Sequence, residues 1–228
     1  MKLAVYSKWE EKRDSSLLAM LDYHPSSEVI DLGCGDGKFS NKVKEKIGNE
    51  TIVGVDLCIN SLEKAEKKGL VVKKVDLDNT FPFKNNVFDV IVSNQVIEHL
   101  IYPVKFMKEV YRLLKPGGYA LISTENLSSW DNIFALILGH TPFSMEFDCG
   151  LRKIGNPLSP HNNEVLENYV NSHVRIFTQH GLVELMEMLC FNVEKISGTG
   201  HIFGNLGEII DSAHCRFITL KVRKVNGV

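Results

Sequence analysis

The chain of 228 residues contains few cysteines, and no two of them form a CxxC pair. Their odd number argues against a disulfide framework, and their spacing does not match a cysteine-rich zinc site. We therefore expect reduced thiols. The five cysteines are Cys34, Cys58, Cys149, Cys190 and Cys215.

Long apolar runs are also absent from the sequence. The longest, residues 133–138, has six residues, whereas a helix needs about 20 to cross a bilayer. The start of the chain offers a run of four apolar residues, and a secretory signal needs about 7 to 15. These features predict no membrane span, no signal peptide and a cytoplasmic location.

An excess of charge of one sign is lacking as well, because 26 basic and 28 acidic residues give a formal net charge of −2. A phosphate backbone requires a broad positive field, so we expect no nucleic-acid partner. With 44% hydrophobic and 24% charged residues, the composition is typical of a folded globular domain. We expect a small-molecule ligand, and the sequence carries no signal for a particular oligomeric state.

Short apolar runs alternate with amphipathic stretches from residue 29 onward, a pattern typical of strands and helices on a parallel sheet. Most of these runs lack polar alternation, which suits strands covered on both faces. Asn60 with Glu63 predicts a capping box for a helix over 61–68, and Pro103 suits the first turn of another helix. The predicted strands are residues 29–32, 51–57, 71–77, 88–92 and 119–123.

We predict a single domain, residues 1–228, with two additions. A helix over residues 10–22 would form part of an N-terminal cap, residues 1–27. The regular pattern lapses over residues 126–175, where proline, asparagine, serine and glycine accumulate, and such a segment is typical of a lid or substrate insertion. The pattern is completed by a helix over 179–189 and by strands over 191–197 and 216–223.

The strongest signal is the segment VIDLGCGDGKFS, residues 29–40. It predicts an apolar strand, a loop with three glycines and the start of an amphipathic helix. Glycines let the backbone approach a ligand closely, and a helix N-terminus offers free N–H groups. Asp31 ends the first strand, and Asp56 ends the next one, where ribose hydroxyls need an acceptor. The segment therefore predicts a nucleotide-like ligand.

Two details narrow the identity of that ligand. A dinucleotide loop requires G-x-G-x-x-G, and Lys38 stands at the third glycine position, which disfavours a nicotinamide dehydrogenase. Acids end three successive predicted strands, at Asp31, Asp56 and Asp76. They would repel a polyanion but suit a ligand that carries an ammonium, a sulfonium and a neutral adenosine. S-adenosylmethionine has this composition.

The chain resembles the class I S-adenosylmethionine-dependent methyltransferases over residues 29–125. The resemblance rests on the glycine loop, the Asp56 strand and the segments VDLDNTFPF, FDVIVSNQVIEHL and LLKPGGYALIST. It implies a doubly wound, Rossmann-like α/β fold: a seven-stranded, mostly parallel sheet with an antiparallel last strand and helices on both faces. A looser resemblance, to the quinone-biosynthesis O-methyltransferase-like branch, rests on QVIEH at residues 95–99 and on His173 followed by Phe177.

The resemblance also implies a cofactor site at the carboxyl ends of the strands. Asp56 would accept the ribose hydroxyls, Asp76 and the Leu77 amide would read the adenine, and Asn94 would offer its carbonyl to the methionine ammonium. An aspartate at a strand end can instead cap the next helix or turn. The predicted cofactor residues are Asp31, Gly33, Cys34, Gly35, Asp56, Leu57, Asp76, Leu77 and Asn94.

Methyl transfer from a sulfonium depends mainly on aligning three atoms, but a hydroxyl, phenol or ammonium acceptor must also lose a proton. His99 and His173 are the candidate general bases, and Glu98 is a third candidate catalytic residue. Each could instead be structural. In parts of the looser branch two glutamates and the histidine hold magnesium. Here Gln95 replaces the first glutamate, and an amide is a poorer ligand for a hard cation, so we expect no metal.

These observations predict an S-adenosylmethionine-dependent methyltransferase that methylates a small molecule at oxygen and releases S-adenosylhomocysteine. Nitrogen and carbon acceptors are the alternatives within this class. An alternative from another class is an S-adenosylmethionine-binding protein without catalytic activity, because a fold and a binding motif do not establish turnover.

Overall fold

The computed structural model describes residues 2–145, 147–148, 153–159 and 173–225. The strands are β1 (Val29–Leu32), β2 (Val53–Asp56), β3 (Val71–Lys74), β4 (Phe88–Asn94), β5 (Leu114–Glu125), β6 (Phe147–Asp148), β7 (Lys153–Ile154), β8 (Phe191–Thr199) and β9 (Phe217–Lys224). The helices are α1 (Lys2–Leu18), α2 (Lys38–Ile47), α3 (Ile59–Lys67), α4 (Pro103–Leu113), α5 (Trp130–Ile137), α6 (Gln179–Met188) and α7 (Gly204–Ile210).

A seven-stranded sheet with the order β3-β2-β1-β4-β5-β9-β8 forms the centre of the fold. The first five strands of this order pair in parallel, and β9 runs antiparallel between β5 and β8. The predicted mostly parallel sheet with an antiparallel last strand is therefore confirmed. Strands β2 and β3 are added on one side of β1, and β4 and β5 are added on the other side. In such sheets, ligands bind at the carboxyl ends of the strands where this order reverses, here between β1 and β4.

Apolar side chains cover both faces of the sheet. Val29 and Ile30 are neighbours in β1 and point to opposite faces, so they belong to separate clusters of buried side chains. The cluster around Ile30 includes residues of α4 and α6, whereas the cluster around Val29 includes residues of α1, α2 and α3. Helices on both faces, as predicted, hold the strand ends in fixed positions.

The predicted capping box at the start of α3 is wrong. The helix begins at Ile59, and no side chain caps it. The carboxylate of Asp56 instead accepts a hydrogen bond from the Cys58 N–H at 2.8 Å, so the turn is fixed two residues before Asn60. Pro103 does stand in the first turn of α4, as predicted.

The N-terminal helix runs from Lys2 to Leu18 and so starts and ends earlier than the predicted 10–22. Leu17 is fully buried against the sheet. Of the predicted insertion over residues 126–175, residues 146, 149–152 and 160–172 lie outside the described part. None of the described helices combines the length and apolarity that crossing a membrane requires. The cap and lid roles of these segments stay predictions.

Candidate active site

The glycine loop connects β1 to α2 and turns over the end of β2. The N–H groups of Gly33 and Cys34 donate to the Val55 carbonyl at 2.8 and 2.9 Å. Gly33 has a φ of 83°, and a Cβ built on it would lie 2.4 Å from Cγ2 of Val96. Gly35 has a φ of 53°, but a Cβ there would meet nothing within 4 Å. The base of the loop is thus tightly packed, while its tip faces open space that a ligand can fill.

Cys34 sits in this loop as a packed side chain. It is 6% exposed, and burial, together with the charges of Asp31 and Asp56, raises the pKa of its thiol to about 12. A thiol in this state is not a nucleophile at neutral pH. The predicted contribution of Cys34 through its main chain is compatible with this geometry and stays a prediction.

Asp31 lies beneath the glycine loop. It is 2% exposed, and Oγ of Ser40 in α2 donates to its Oδ2 at 2.6 Å. Burial raises the pKa of Asp31 to about 6; the bond from Ser40 opposes this rise, and the charge of Asp56 adds to it. The carboxylate therefore ties α2 to the end of β1, and the predicted contact with the cofactor is not tested.

Asp56 ends β2 beside the tip of the glycine loop. Its Oδ2 accepts from the Gly35 N–H at 3.0 Å, and its Oδ1 accepts from the Cys58 N–H. These two bonds fix the carboxylate, and each oxygen keeps a further lone pair for a hydroxyl. Leu57, which follows it, is 52% exposed. The ribose contact predicted for Asp56 is compatible with this geometry and stays a prediction.

Asp76 lies two residues beyond the end of β3, so it follows that strand rather than ending it. Its carboxylate accepts from the Asp78 N–H at 3.0 Å and from Asn79 Nδ2 at 2.8 Å. The side chain is exposed, and that of Leu77 is buried. The structure thus fixes Asp76 in a turn at the carboxyl edge of the sheet, where the adenine contact was predicted.

Asn94 ends β4 and contacts the N-terminal helix. Its Nδ2 donates to Asp14 Oδ1 at 3.1 Å, and Arg13 Nη2 donates to the same oxygen at 2.9 Å. The Oδ1 atom of Asn94 is buried and has no hydrogen-bond partner within the described part of the chain. An ammonium group is a suitable donor for such an oxygen. Arg13 and Asp14 were not predictable as partners of Asn94, because they lie about 80 positions earlier in the chain.

The turn after β4 carries the second half of the candidate site. Gln95 has a left-handed φ of 58°. In the orientation that satisfies its amide, Nε2 donates to Glu98 Oε1 and Oε1 accepts from the Thr124 N–H, both at 3.2 Å. Thr124 Oγ1 donates to Glu98 Oε2 at 2.8 Å. Thr124 was also not predicted as a site residue. It follows the apolar part of β5, just as the predicted aspartates follow the apolar parts of their strands.

Glu98 is fully buried in this turn. Burial raises the pKa of Glu98 to about 8, and the bonds from its own N–H and from Thr124 only partly oppose the rise. The carboxyl is therefore mostly neutral at pH 7. Its main-chain oxygen accepts from the N–H groups of Val174 and Arg175 at 2.7 and 3.0 Å, and these bonds bring the segment after residue 172 to the turn.

His99 and His173 meet as a result of this pairing. Their ring centroids lie 4.8 Å apart with an interplanar angle of 62°. Nδ1 of His173 lies 2.8 Å from the main-chain oxygen of Ser144. A carbonyl only accepts hydrogen bonds, so Nδ1 carries the proton, and in the neutral ring Nε2 has the free lone pair. The structure thus brings together all three predicted catalytic residues.

Glu98, His99 and His173 lie close enough together to be compared with a metal site. One ligand atom from each of Glu98, His99 and His173 lies within 4.8 Å of the other two. This set contains one carboxylate and two imidazoles, and imidazole suits transition metals rather than magnesium. Both oxygens of Glu98 already accept hydrogen bonds. The residues do not fit the magnesium site implied by the looser resemblance, and we derive no step through a metal.

Comparison with known proteins identifies the central part of the chain. Residues 30–122 match the family model described as a methyltransferase domain. The match includes the glycine loop, Asp56, Asp76 and the turn that carries Glu98 and His99. It ends within β5, so it covers neither α1 nor the segment that carries His173.

Two curated relatives match over part of their length. The malonyl-[acyl-carrier protein] O-methyltransferase of Marinomonas sp. is 28% identical over 137 residues, 56% of this chain and 49% of that protein. Phosphoethanolamine N-methyltransferase 1 of Zea mays is 34% identical over 108 residues, 45% of this chain and 21% of that protein. The chain spans less than half of either relative.

A solved structure matches the fold over nearly all of the chain. The S-adenosylmethionine-dependent methyltransferase from Mesorhizobium loti superposes with a TM-score of 0.63 and 20% identity, covering 92% of this chain and 96% of that one. The chain therefore has the fold of this S-adenosylmethionine-dependent methyltransferase, and its residues 30–122 match the methyltransferase domain family.

Proposed function

We propose that the protein transfers a methyl group from S-adenosylmethionine to an oxygen of a small molecule. The observation that carries this proposal is the 2.8 Å distance between Nδ1 of His173 and the main-chain oxygen of Ser144, which favours the tautomer with the proton on Nδ1. The free Nε2 can then accept the proton of a hydroxyl acceptor. The turn that carries His99 touches the glycine loop, since Val96 fills the space above Gly33. Base and cofactor loop therefore share one edge of the sheet.

The cofactor is proposed to lie over the tip of the glycine loop. Asp56 would hold the ribose, the turn at Asp76 and Leu77 would receive the adenine, and the buried oxygen of Asn94 would meet the methionine ammonium. This arrangement places the methyl group near the turn after β4. Methyl transfer then needs mainly the alignment of acceptor oxygen, methyl carbon and sulfur in one line.

Among the candidate catalytic residues, His173 is the proposed base and Glu98 is proposed as a positioning residue. The buried carboxyl group of Glu98 is held by Thr124, and the main-chain oxygen of Glu98 accepts hydrogen bonds from the N–H groups of Val174 and Arg175. His99 packs edge to face against the ring of His173 and restricts its orientation. We propose that the N-terminal cap and the 126–175 segment cover the acceptor above this group.

Nitrogen is the second candidate acceptor atom, since the maize relative is named an N-methyltransferase and the Marinomonas relative an O-methyltransferase. An amine acceptor that binds in its protonated form must lose a proton before it can be methylated. The same base, His173, can accept that proton. A protein that binds S-adenosylmethionine without turnover is the candidate from another class.

The test is product formation with a panel of small acceptors that carry hydroxyl, phenol, carboxylate or amine groups. S-adenosylhomocysteine should appear with an oxygen acceptor, and His173→Gln should lower kcat about 10²-fold to 10⁴-fold without changing cofactor affinity. His180→Gln is the matched control, because His180 is an exposed residue of α6. Turnover with amines alone would overturn the oxygen assignment. Cofactor binding with no turnover of any acceptor would favour the binding protein.

A further inference from the structure

An open cleft lies beside the first turn of α4, outside the group formed by Glu98, His99 and His173. Residues 101–105, Lys108 and Arg175 line it, and its volume is about 550 Å³. Small-molecule sites usually occupy about 300 to 1,000 Å³. The cleft is therefore large enough for a small ligand or for part of one.

The charged residues that line the cleft are all cations: Lys105, Lys108 and Arg175. All three are exposed. Lys105 Nζ donates to the main-chain oxygen of Asp78 at 2.9 Å. Neither Lys108 nor Arg175 forms an ion pair with another residue of the described ranges. Their charges are thus available to an anion.

Asp78 is an acid close to the cleft, but its carboxylate is already engaged. The N–H groups of Ile101 and Tyr102 donate to its two oxygens at 3.2 and 2.8 Å. These bonds hold the carboxylate against the main chain, and Asp78 is not part of the lining. Within the described ranges, Asp78 forms no ion pair with Lys108 or Arg175.

Apolar side chains form the rest of the lining. Ile101, Tyr102 and Val104 are 52%, 58% and 46% exposed, and Pro103 stands between them. Three large exposed apolar residues within four positions leave apolar surface in water that a ligand body would cover. The lining as a whole therefore matches a molecule with an apolar body and an anionic group.

Two residues of the lining are close in the chain to the candidate catalytic residues. Ile101 stands two positions after His99, and Arg175 stands two positions after His173. The Arg175 N–H also donates to the main-chain oxygen of Glu98 at 3.0 Å, although neither histidine is part of the lining.

We infer that the cleft binds a small amphipathic anion, with a carboxylate or phosphate held by Lys108 and Arg175 and an apolar body over Ile101, Tyr102 and Val104. This inference rests on the proposed function in naming the ligand as the methyl acceptor. Under it, the acceptor carries its anionic group away from the oxygen that is methylated. Lys105 adds positive charge at the rim.

The test is calorimetric titration of the full chain with four probes: decanoate, decyl phosphate, decanol and inorganic phosphate. We expect saturable binding of decanoate or decyl phosphate at one site, and at least 10-fold weaker binding of decanol and of inorganic phosphate. The variant Lys108→Glu/Arg175→Glu should weaken binding of the amphipathic anion at least 10-fold. The control Lys84→Glu/Lys195→Glu makes the same charge change at exposed lysines outside the cleft and should have little effect.

Three results would overturn the inference: neither decanoate nor decyl phosphate binds at millimolar concentration, decanol binds as tightly as decanoate, or both double variants lose affinity equally. The neutral variant Lys108→Gln/Arg175→Gln replaces the first one if charge reversal prevents folding. S-adenosylhomocysteine is titrated in parallel, and its affinity should be the same in every variant. If the wild type does not bind S-adenosylhomocysteine, the proposed function is contradicted. The titrations with the four probes would still show whether the cleft binds an amphipathic anion.

Discussion

Gly33 and Gly35, two of the three glycines of the loop, should respond differently to substitution by alanine. Gly33 has a left-handed φ, which costs a residue with a side chain about 1 to 2 kcal/mol. Its Cβ would also lie 2.4 Å from Cγ2 of Val96, a buried β-branched residue with a stiff side chain, and overpacking of this kind costs about 1 to 3 kcal/mol. We therefore expect Gly33→Ala to lower the free energy of unfolding by about 2 to 5 kcal/mol.

Gly35→Ala is the matched control for stability and the test for binding. A Cβ on Gly35 meets nothing within 4 Å, so only the backbone term of about 1 to 2 kcal/mol remains. The same methyl group would project into the space that the cofactor is proposed to fill. We expect Gly35→Ala to weaken S-adenosylhomocysteine binding at least about 10-fold, which corresponds to about 1.4 kcal/mol.

Urea unfolding and calorimetric titration of both variants measure these two effects. The variant Val96→Ala lacks the methyl groups that would clash with a side chain at position 33. In that background Gly33→Ala should lower the free energy of unfolding only by its backbone term. The coupling energy between the two substitutions should therefore be about 1 to 3 kcal/mol. Equal stability losses at Gly33 and Gly35, or a zero coupling with Val96, would refute the packing argument. Unchanged cofactor affinity in Gly35→Ala would refute the position of the cofactor over the loop tip.

Three further predictions concern the charged groups of the site. Asp56→Asn should weaken S-adenosylhomocysteine binding about 10-fold to 100-fold, since a charged hydrogen bond contributes about 1.5 to 3 kcal/mol, whereas Asp36→Asn in the same loop should leave it nearly unchanged. Because the pKa of Glu98 is raised to about 8, its contribution to stability is fully present below about pH 4.5 and is lost as the pH rises to about 8. In urea unfolding, the wild type should lose free energy of unfolding between pH 5 and pH 8, and Glu98→Gln should lack this part of the loss. The same pH dependence in wild type and variant would contradict the prediction. His173→Gln should slow single-turnover methyl transfer from a neutral hydroxyl acceptor about 10²-fold to 10⁴-fold and have little effect with an acceptor that is already ionised, and equal rates of variant and wild type with the neutral acceptor would exclude this base.

Features encoded by local sequence were predictable. The glycine loop, the apolar strands and the acids that follow them are set by residues close in the chain, because side-chain periodicity and glycine conformations act over a few residues. The prediction of a seven-stranded sheet was based on the family resemblance. The hydrogen bond between the Gly35 N–H and Asp56 agrees with the strand order which that resemblance implies. The predicted start of α3 was wrong because the turn before the helix is fixed by the bond from the Cys58 N–H to the Asp56 carboxylate, so that Asn60 lies inside the helix.

Contacts between distant segments were not predictable from local patterns. The bonds Asn94–Asp14 and Thr124–Glu98 join residues 80 and 26 positions apart, and only the packed fold brings them together. Helix α7 was missed because its buried residue is Gly207, so it has no apolar period facing the core. A Cβ there would lie 2.0 Å from Nδ1 of His201, which explains why glycine occupies the buried position.

Calorimetric titration of the wild-type chain with S-adenosylhomocysteine and, separately, with NAD tests the central claim most directly. The glycine loop, the fixed carboxylate of Asp56 and the unpartnered oxygen of Asn94 predict binding of one S-adenosylhomocysteine per chain and no binding of NAD. Binding of NAD without binding of S-adenosylhomocysteine would contradict the account.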